Sequence, residues 1–281
     1  MKSKTGFYLT IPALTLLVLI LIGPLIYTFI LSITSIDLNF VGLSNYFRLF
    51  QDSEFWNSFK VTLIFTGFTV PIELLVGFGL ALITNRALKA RGLIRLAIIF
   101  PWALPTALNA IAWRWMYNAD FGLFNNMLIE FGVISQSINW LGQIPLAMIS
   151  MMIVSIWKTS SFMALLILTG LQTIPNQLYE AAKIDGASSW DSLMKITIPL
   201  LKPAILIALL FRTRDAFRSF GLPFNLTGGG PVNSTKTLAV YTYETFFQYL
   251  DFNYAATIAL IQFVVLFILA IIYLRNAKVS E

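Results

Sequence analysis

The side chains able to do chemistry in this sequence are charges placed where charge is costly. Arg212, Arg214, Asp215 and Arg218 crowd into an apolar stretch that starts at Pro203. Lys158 interrupts another, in the segment Ile156-Trp157-Lys158-Thr159-Ser160-Ser161-Phe162, and Glu73 follows Pro71 in a third. An ionised side chain at the centre of a bilayer costs at least about 2.5–3.5 kcal/mol, so such residues must face protein, water or an interface. Arg214 and Arg218 lie one helical turn apart and Asp215 is i−3 to Arg218, the spacing of an internal ion pair. Two readings follow: a structural charge network inside a bundle, or a hydrophilic path lined by Asp215, Arg218 and Ser219. For Glu73 and Lys158, snorkelling or a mutual pair serves as well as a functional role. Histidine and cysteine are both absent, which removes imidazole acid/base chemistry, thiol chemistry and the usual metal and haem ligands.

The elements that must position these charges are set by composition. Of 281 residues, 58% are apolar and only 11% charged, and the mean hydropathy is +0.79. Soluble domains carry about 25% charged residues, so the sequence predicts an all-α integral membrane protein and excludes a soluble enzyme, a disordered tail and a disulfide-stapled module. A span needs about 20 mostly apolar residues. Six stretches qualify, at about 7–33, 61–84, 94–117, 144–171, 203–225 and 254–274, in one permeation domain covering 1–281. The first is too long for a signal-peptide core and lacks a cleavage site, so it reads as a retained span. The third holds Pro101 and Pro105 within a single span; proline inside a span requires neighbouring helices or water to satisfy the freed backbone groups.

Basic residues give the orientation, because cytoplasmic segments keep the excess. One set of loops holds Lys2, Lys4, Arg86, Lys89, Arg91, Arg95, Lys183, Lys195, Lys202, Arg275 and Lys278; the other holds only Arg48, Lys60 and Lys236. Both termini are expected in the cytoplasm. The net charge of +6 is thus a signature of topology rather than of a nucleic-acid partner. Trp102, Trp113, Trp115, Trp140 and Trp157 read either as interfacial anchors or as packing; Tyr241 and Tyr243, before the last span, could instead offer ring faces to a sugar.

The basic-sided loop from Gln172 to Pro203 predicts two short helices. One begins at Pro175-Asn176, with Asn176 as its N-cap, and stops at Gly186. The other opens on the S-x-x-D spacing of Ser188 to Asp191 and ends before Pro199. Ala181 and Ala182 let another surface approach closely, and Glu180 and Lys183 present a charged pair one turn apart. Such an elbow either docks a partner or merely caps the bundle.

Glu180-Ala181-Ala182, three residues, Gly186, nine residues and Ile196-Thr197-Ile198-Pro199 resemble the E-A-A-x3-G-x9-I-x-L-P signature of permease subunits of binding-protein-dependent ATP-binding-cassette importers. Ile198 in place of Leu is a volume-conserving departure. The Asp185-Gly186-Ala187 step, Pro101-Trp102-Ala103-Leu104-Pro105 and Phe121-Gly122-Leu123-Phe124-Asn125 are similar to further segments of that family. Leu226-Thr227-Gly228-Gly229-Gly230-Pro231 resembles a turn of its carbohydrate-importing branch, of the maltose, trehalose and glycerol-phosphate type.

The resemblance implies a minimal six-span membrane subunit in an assembly with a second permease, two ATPase subunits and an extracytoplasmic binding protein, multi-pass in the cell's inner membrane. It implies a coupling helix seated in the ATPase, carried by Glu180, Ala181, Ala182, Asp185 and Gly186. This chain has no G-x-x-x-x-G-K-[ST] loop, so ATP and its magnesium belong to the partner ATPases and no cofactor is expected here. By position, the substrate-path candidates are Asp215, Arg218 and Ser219 with Tyr241, Tyr243 and Glu244. They suit a di- or oligosaccharide; the basic span also suits a phosphate ester such as glycerol phosphate. The competing class is a secondary transporter driven by an ion gradient through Asp215 and Glu73.

Overall fold

In the computed structural model, which describes residues 2–85 and 91–278, the described chain is helical. Arg86 and Lys89, counted above for orientation, lie outside the described residues. The helices are α1 (Lys2–Ser32), α2 (Ser44–Gln51), α3 (Ser53–Asn85), α4 (Arg91–Ala103), α5 (Thr106–Met116), α6 (Leu123–Glu130), α7 (Leu146–Leu171), α8 (Asn176–Ile184), α9 (Ser189–Ser192), α10 (Ile198–Phe217), α11 (Gly221–Leu226), α12 (Leu238–Phe247) and α13 (Phe252–Lys278). Five of these stretches are long and apolar enough to cross a membrane, and a sixth arises if α4 and α5 form one broken span.

The chain divides into two compact units. One comprises residues 1–56 and 241–265. In it the most apolar window of α1 buries none of its residues, whereas Ser32 at its end is fully buried. A polar knot lies at the start of α13: Asn253 donates to the Leu31 carbonyl and to Thr34 Oγ1, both at 3.0 Å. Backbone groups freed at the end of α1 are thereby satisfied, as a non-aqueous setting demands.

The other unit comprises residues 57–240 and 266–281. Here α7 is the axis, with α4 and α10 packed on it, while α11 packs on α5. Its buried face carries Ala147, Ser150, Ser155, Ser160, Ser161 and Ala164, small residues that permit close helix approach without a hydrophobic driving force in lipid. Hydroxyls on α3 bond back to their own helix, Thr62 to the Ser58 carbonyl and Thr69 to that of Phe65, each at 2.8 Å.

Two elements differ from expectation. The third span is not one rod: α4 and α5 meet at 92°. Pro105 has no N–H and disfavours the helical region for Leu104, so the helix ends at Ala103 and restarts at Thr106. The second short helix of the loop does not stop before Pro199. It runs from α9 through a π turn, Leu193–Thr197, into α10, which carries Pro199 in its first turn and Pro203 inside. The wider π turn accommodates prolines that a tight helix would reject, and α10 begins at Ile198 rather than at 203.

Trp113 packs against Trp157 and Phe124 at centroid distances of 5.4 and 5.7 Å, Trp140 donates its indole N–H to Asn125 Oδ1 at 3.0 Å, and Trp115 is exposed.

Candidate functional site

The charges inside the second unit converge on Glu73. Its carboxylate, wholly buried on α3, receives the Arg212 fork from α10: Nε donates to Oε2 at 2.8 Å and Nη2 to Oε1 at 3.1 Å. From α7, Ser155 Oγ donates to Oε1 at 2.9 Å and Thr159 Oγ1 lies 2.6 Å from the same oxygen. Ser155 and Thr159 are i and i+4, hence on one helix face. A buried ion pair is tolerable only when the remaining lone pairs are satisfied; here Arg212 and Ser155 supply three donors, and the single Thr159 hydroxyl proton is shared between Glu73 and the Ser155 carbonyl, also 2.6 Å away.

Lys158 turns elsewhere. Its Nζ donates to the Trp102 carbonyl at 3.0 Å and to the Leu104 carbonyl at 2.7 Å. These are carbonyls released by the break between α4 and α5, at the negative end of the α4 dipole. The ammonium has three donors, so one remains. The expected mutual pair of Glu73 and Lys158 is therefore replaced by two separate arrangements, Glu73 with Arg212 and Lys158 with backbone.

Around these groups opens a cavity of about 320 Å³. Asp215 and Ser219 line it, together with Trp102, Thr106, Lys158 and Thr159. Asp215 Oδ1 accepts both Nε and Nη2 of Arg214, at 3.0 and 2.8 Å, and among the described residues Oδ2 has no hydrogen bond. The expected Asp215–Arg218 pair is not formed. Asp215 is taken by Arg214 instead, and Arg218 is the exposed C-cap of α10, its amide still bonded to the Arg214 carbonyl at 3.1 Å.

Tyr241, Tyr243 and Glu244 lie on α12, in the segment of the first unit that begins at Tyr241. Tyr241 is buried and donates to Asp52 Oδ2 at 2.5 Å, as does Tyr254, so its hydroxyl is already bound. Tyr243 packs its ring 4.9 Å from Phe247, and Glu244 is buried. Burial raises the Asp52 pKa, but the two phenols and the amides of Glu54 and Phe55 outweigh it and leave the carboxyl below its ordinary value. Burial, then the bond to Asp52, pushes the Tyr241 phenol up.

The loop residues form a compact knob. Helix α8 buries none of its residues; Glu180, Ala181 and Asp185 are exposed, Ala182 is half-buried and Ile184 is 86% exposed. Its N-cap is Pro175, in extended conformation, rather than Asn176, which begins the helix; the fixed φ of proline suits that position. At the other end the Gly186 amide bonds the Lys183 carbonyl at 3.2 Å and the Ala187 amide that of Ala182 at 2.9 Å, a Schellman closure with Gly186 at φ +79°. Ser188 and Asp191 then form the expected capping box. Glu180 and Lys183 are both exposed and do not pair with each other within the described residues.

The sequence profile of the binding-protein-dependent transport system inner membrane component family matches residues 73–278. The chain belongs to that family. It is 40% identical to the trehalose/maltose transport system permease protein MalF of Thermococcus litoralis, over 99% of this chain and 95% of that one. It is 41% identical to the sulfoquinovosyl glycerol transport system permease protein SmoG of Agrobacterium fabrum, over 96% and 89%. The fold matches a crystal structure of a bacterial ABC transporter involved in the import of the acidic polysaccharide alginate, with a TM-score of 0.86 at 20% identity, covering 99% of this chain and 96% of that one. This permease is thus an all-helical, multi-pass membrane protein with the fold of ABC importer subunits.

Sequence reasoning missed that Arg212, not Lys158, neutralises Glu73, and it passed over Ser155, Thr159 and Thr106. The i, i+3, i+4 spacing of Ser155, Lys158 and Thr159 was the available signal: three polar groups on one face of an otherwise apolar helix.

Proposed function

We propose that this permease, with a second permease, forms the path for an uncharged di- or oligosaccharide, driven by two separate ATPase subunits and fed by an extracytoplasmic binding protein. The observation that carries this reading is the cavity beside Glu73. It offers one ammonium donor from Lys158, one free carboxylate oxygen from Asp215, the hydroxyls of Thr106 and Ser219, and the exposed indole of Trp102. Mixed donors, acceptors and a ring face are what a sugar requires. Both guanidiniums near the cavity are occupied, Arg212 by Glu73 and Arg214 by Asp215, and the free Asp215 oxygen repels an anion. A phosphate ester is therefore the poorer fit. The trehalose/maltose relative supports an uncharged carbohydrate cargo; the sulfoquinovosyl glycerol relative, whose named cargo bears a sulfonate, supports the sugar class but not its lack of charge.

The exposed α8 knob is read as the coupling helix, on the cytoplasmic side with both termini, as the basic residues indicate. Uptake of labelled disaccharide by the complete assembly tests the cavity. Asp215→Asn is expected to lower uptake by roughly tenfold, the scale of one lost hydrogen bond to a charged group, while glycerol phosphate fails to compete with the disaccharide. Unchanged uptake, or effective competition by the phosphate ester, contradicts the reading.

A further inference from the structure

At the end of α5 away from the break lies a second, smaller hollow of about 190 Å³, lined by Ile111, Arg114, Trp115, Asn118 and Phe121. It is separate from the cavity beside Glu73, and no residue lines both. Leu108, Ile111 and Trp115 recur at i, i+3 and i+7 and are 64%, 44% and 64% exposed, an apolar stripe on a helix of a candidate broken span. At the end of that stripe stands Arg114, exposed and with no ion-pair partner among the described residues. The Trp115 and Phe121 rings meet 5.6 Å apart at 60°, forming an aromatic wall at the same level.

The polar rim is held in place by the turn. Asn118 Oδ1 accepts the amides of Asp120 and Phe121 at 2.9 and 3.1 Å, which fixes the side chain and leaves its two amide donors without a partner among the described residues. The Gly122 amide bonds the Asn118 carbonyl at 3.0 Å. A Cβ at Gly122 would lie 2.2 Å from that carbonyl oxygen, so only glycine permits the turn that sets Phe121 against Trp115.

An apolar stripe leading to an unpaired guanidinium and an amide donor complements an amphiphile whose polar end is an anion. We propose that this hollow binds one membrane phospholipid, its phosphodiester on Arg114 and Asn118 and an acyl chain along Leu108 and Ile111. A guanidinium matches phosphate oxygens in a two-pronged geometry, and Trp is a residue type enriched where spans meet headgroups. The site is distinct from the saccharide path and does not rest on it.

The test uses the complete assembly, purified in detergent and titrated with a phospholipid brominated on its acyl chains, reading tryptophan quenching. A saturable component is expected that disappears in Trp115→Phe. Arg114→Gln should weaken it about tenfold, on the scale of a charge-assisted hydrogen bond, and Arg114→Lys should weaken it less. A brominated diacylglycerol, which lacks the phosphate, should bind the native protein no better than the phospholipid binds Arg114→Gln. The proposal is overturned if the diacylglycerol equals the phospholipid, if Arg114→Gln changes nothing, or if Trp115 is not quenched because a protein partner covers it. Quenching relieved by disaccharide would equally overturn it, since the occupant would then be sugar.

Discussion

Glu73 shows what a single buried charge demands. With Arg212, Ser155 and Thr159 on its two oxygens, the pair is neutral within the protein; removing either partner leaves an uncompensated charge, at about 3–5 kcal/mol. Arg212→Ala should therefore lower the melting temperature of the detergent-solubilised protein sharply, and Glu73→Gln with Arg212→Gln should recover part of the loss in a double-mutant cycle. Independent, additive losses would show that the two do not interact. Asp52 supplies a pH prediction. Because its folded pKa lies below the unfolded value of 3.8, its contribution to stability is full above that value and is lost as the pH falls through the folded pKa. Melting curves below pH 3.8 should show this loss in the native protein and a shallower one in Asp52→Asn. At this scale the sequence was least informative. That Glu73, Arg212, Lys158, Asp215 and Arg218 need partners followed from the cost of charge in lipid; which partner each takes depends on contacts between α3, α7 and α10 that no local spacing encodes. Arg218 is the clearest case, since its i, i+3 spacing to Asp215 permits a pair, yet the carboxylate is taken by the adjacent Arg214.

Among the elements, the elbow of α8, Gly186 and α9 was legible almost residue by residue, because caps and left-handed glycines are local devices: Gly186 sits at φ +79° and Ser188 with Asp191 makes the capping box. The broken third span was half legible. Pro101 and Pro105 were visible, but an apolar run with prolines reads equally as a kinked rod, and the 92° bend is stabilised by Lys158 from another helix. The fusion of α9 to α10 through a π turn was not legible, since Pro199 and Pro203 argue locally for a stop. Gly186→Ala tests the elbow. A Cβ there meets no atom within 4 Å, so the cost is only that of a left-handed non-glycine residue, about 1–2 kcal/mol. Uptake should fall partially while the assembled complex still forms, whereas Gly186→Trp should abolish uptake. Equal, full activity of both variants would show that this turn does not transmit force.

For the whole molecule, hydropathy located five long apolar helices, with a sixth only if α4 and α5 are one broken span, and the family match over residues 73–278 agrees with the signature around Glu180. What hydropathy does not encode is how a rigid-body displacement at one face reaches a cavity lined from α4, α5, α7 and α10. The fold gives it a route: α9 is continuous through the π turn with α10, α8 joins α9 at the Gly186 elbow, and α10 bears both Arg212 and Asp215. On the proposed reading of α8 as the coupling helix, a partner that moves it would move a wall of the cavity. The most direct test is ATP-dependent uptake of labelled disaccharide in proteoliposomes containing this permease, its second permease, the ATPases and the binding protein, with Glu180→Lys beside the native chain. Uptake is predicted to require ATP and to fall to background in Glu180→Lys although the variant is inserted and its cavity residues are untouched. Uptake that persists in the variant, or that proceeds from an ion gradient without the ATPases, would contradict it.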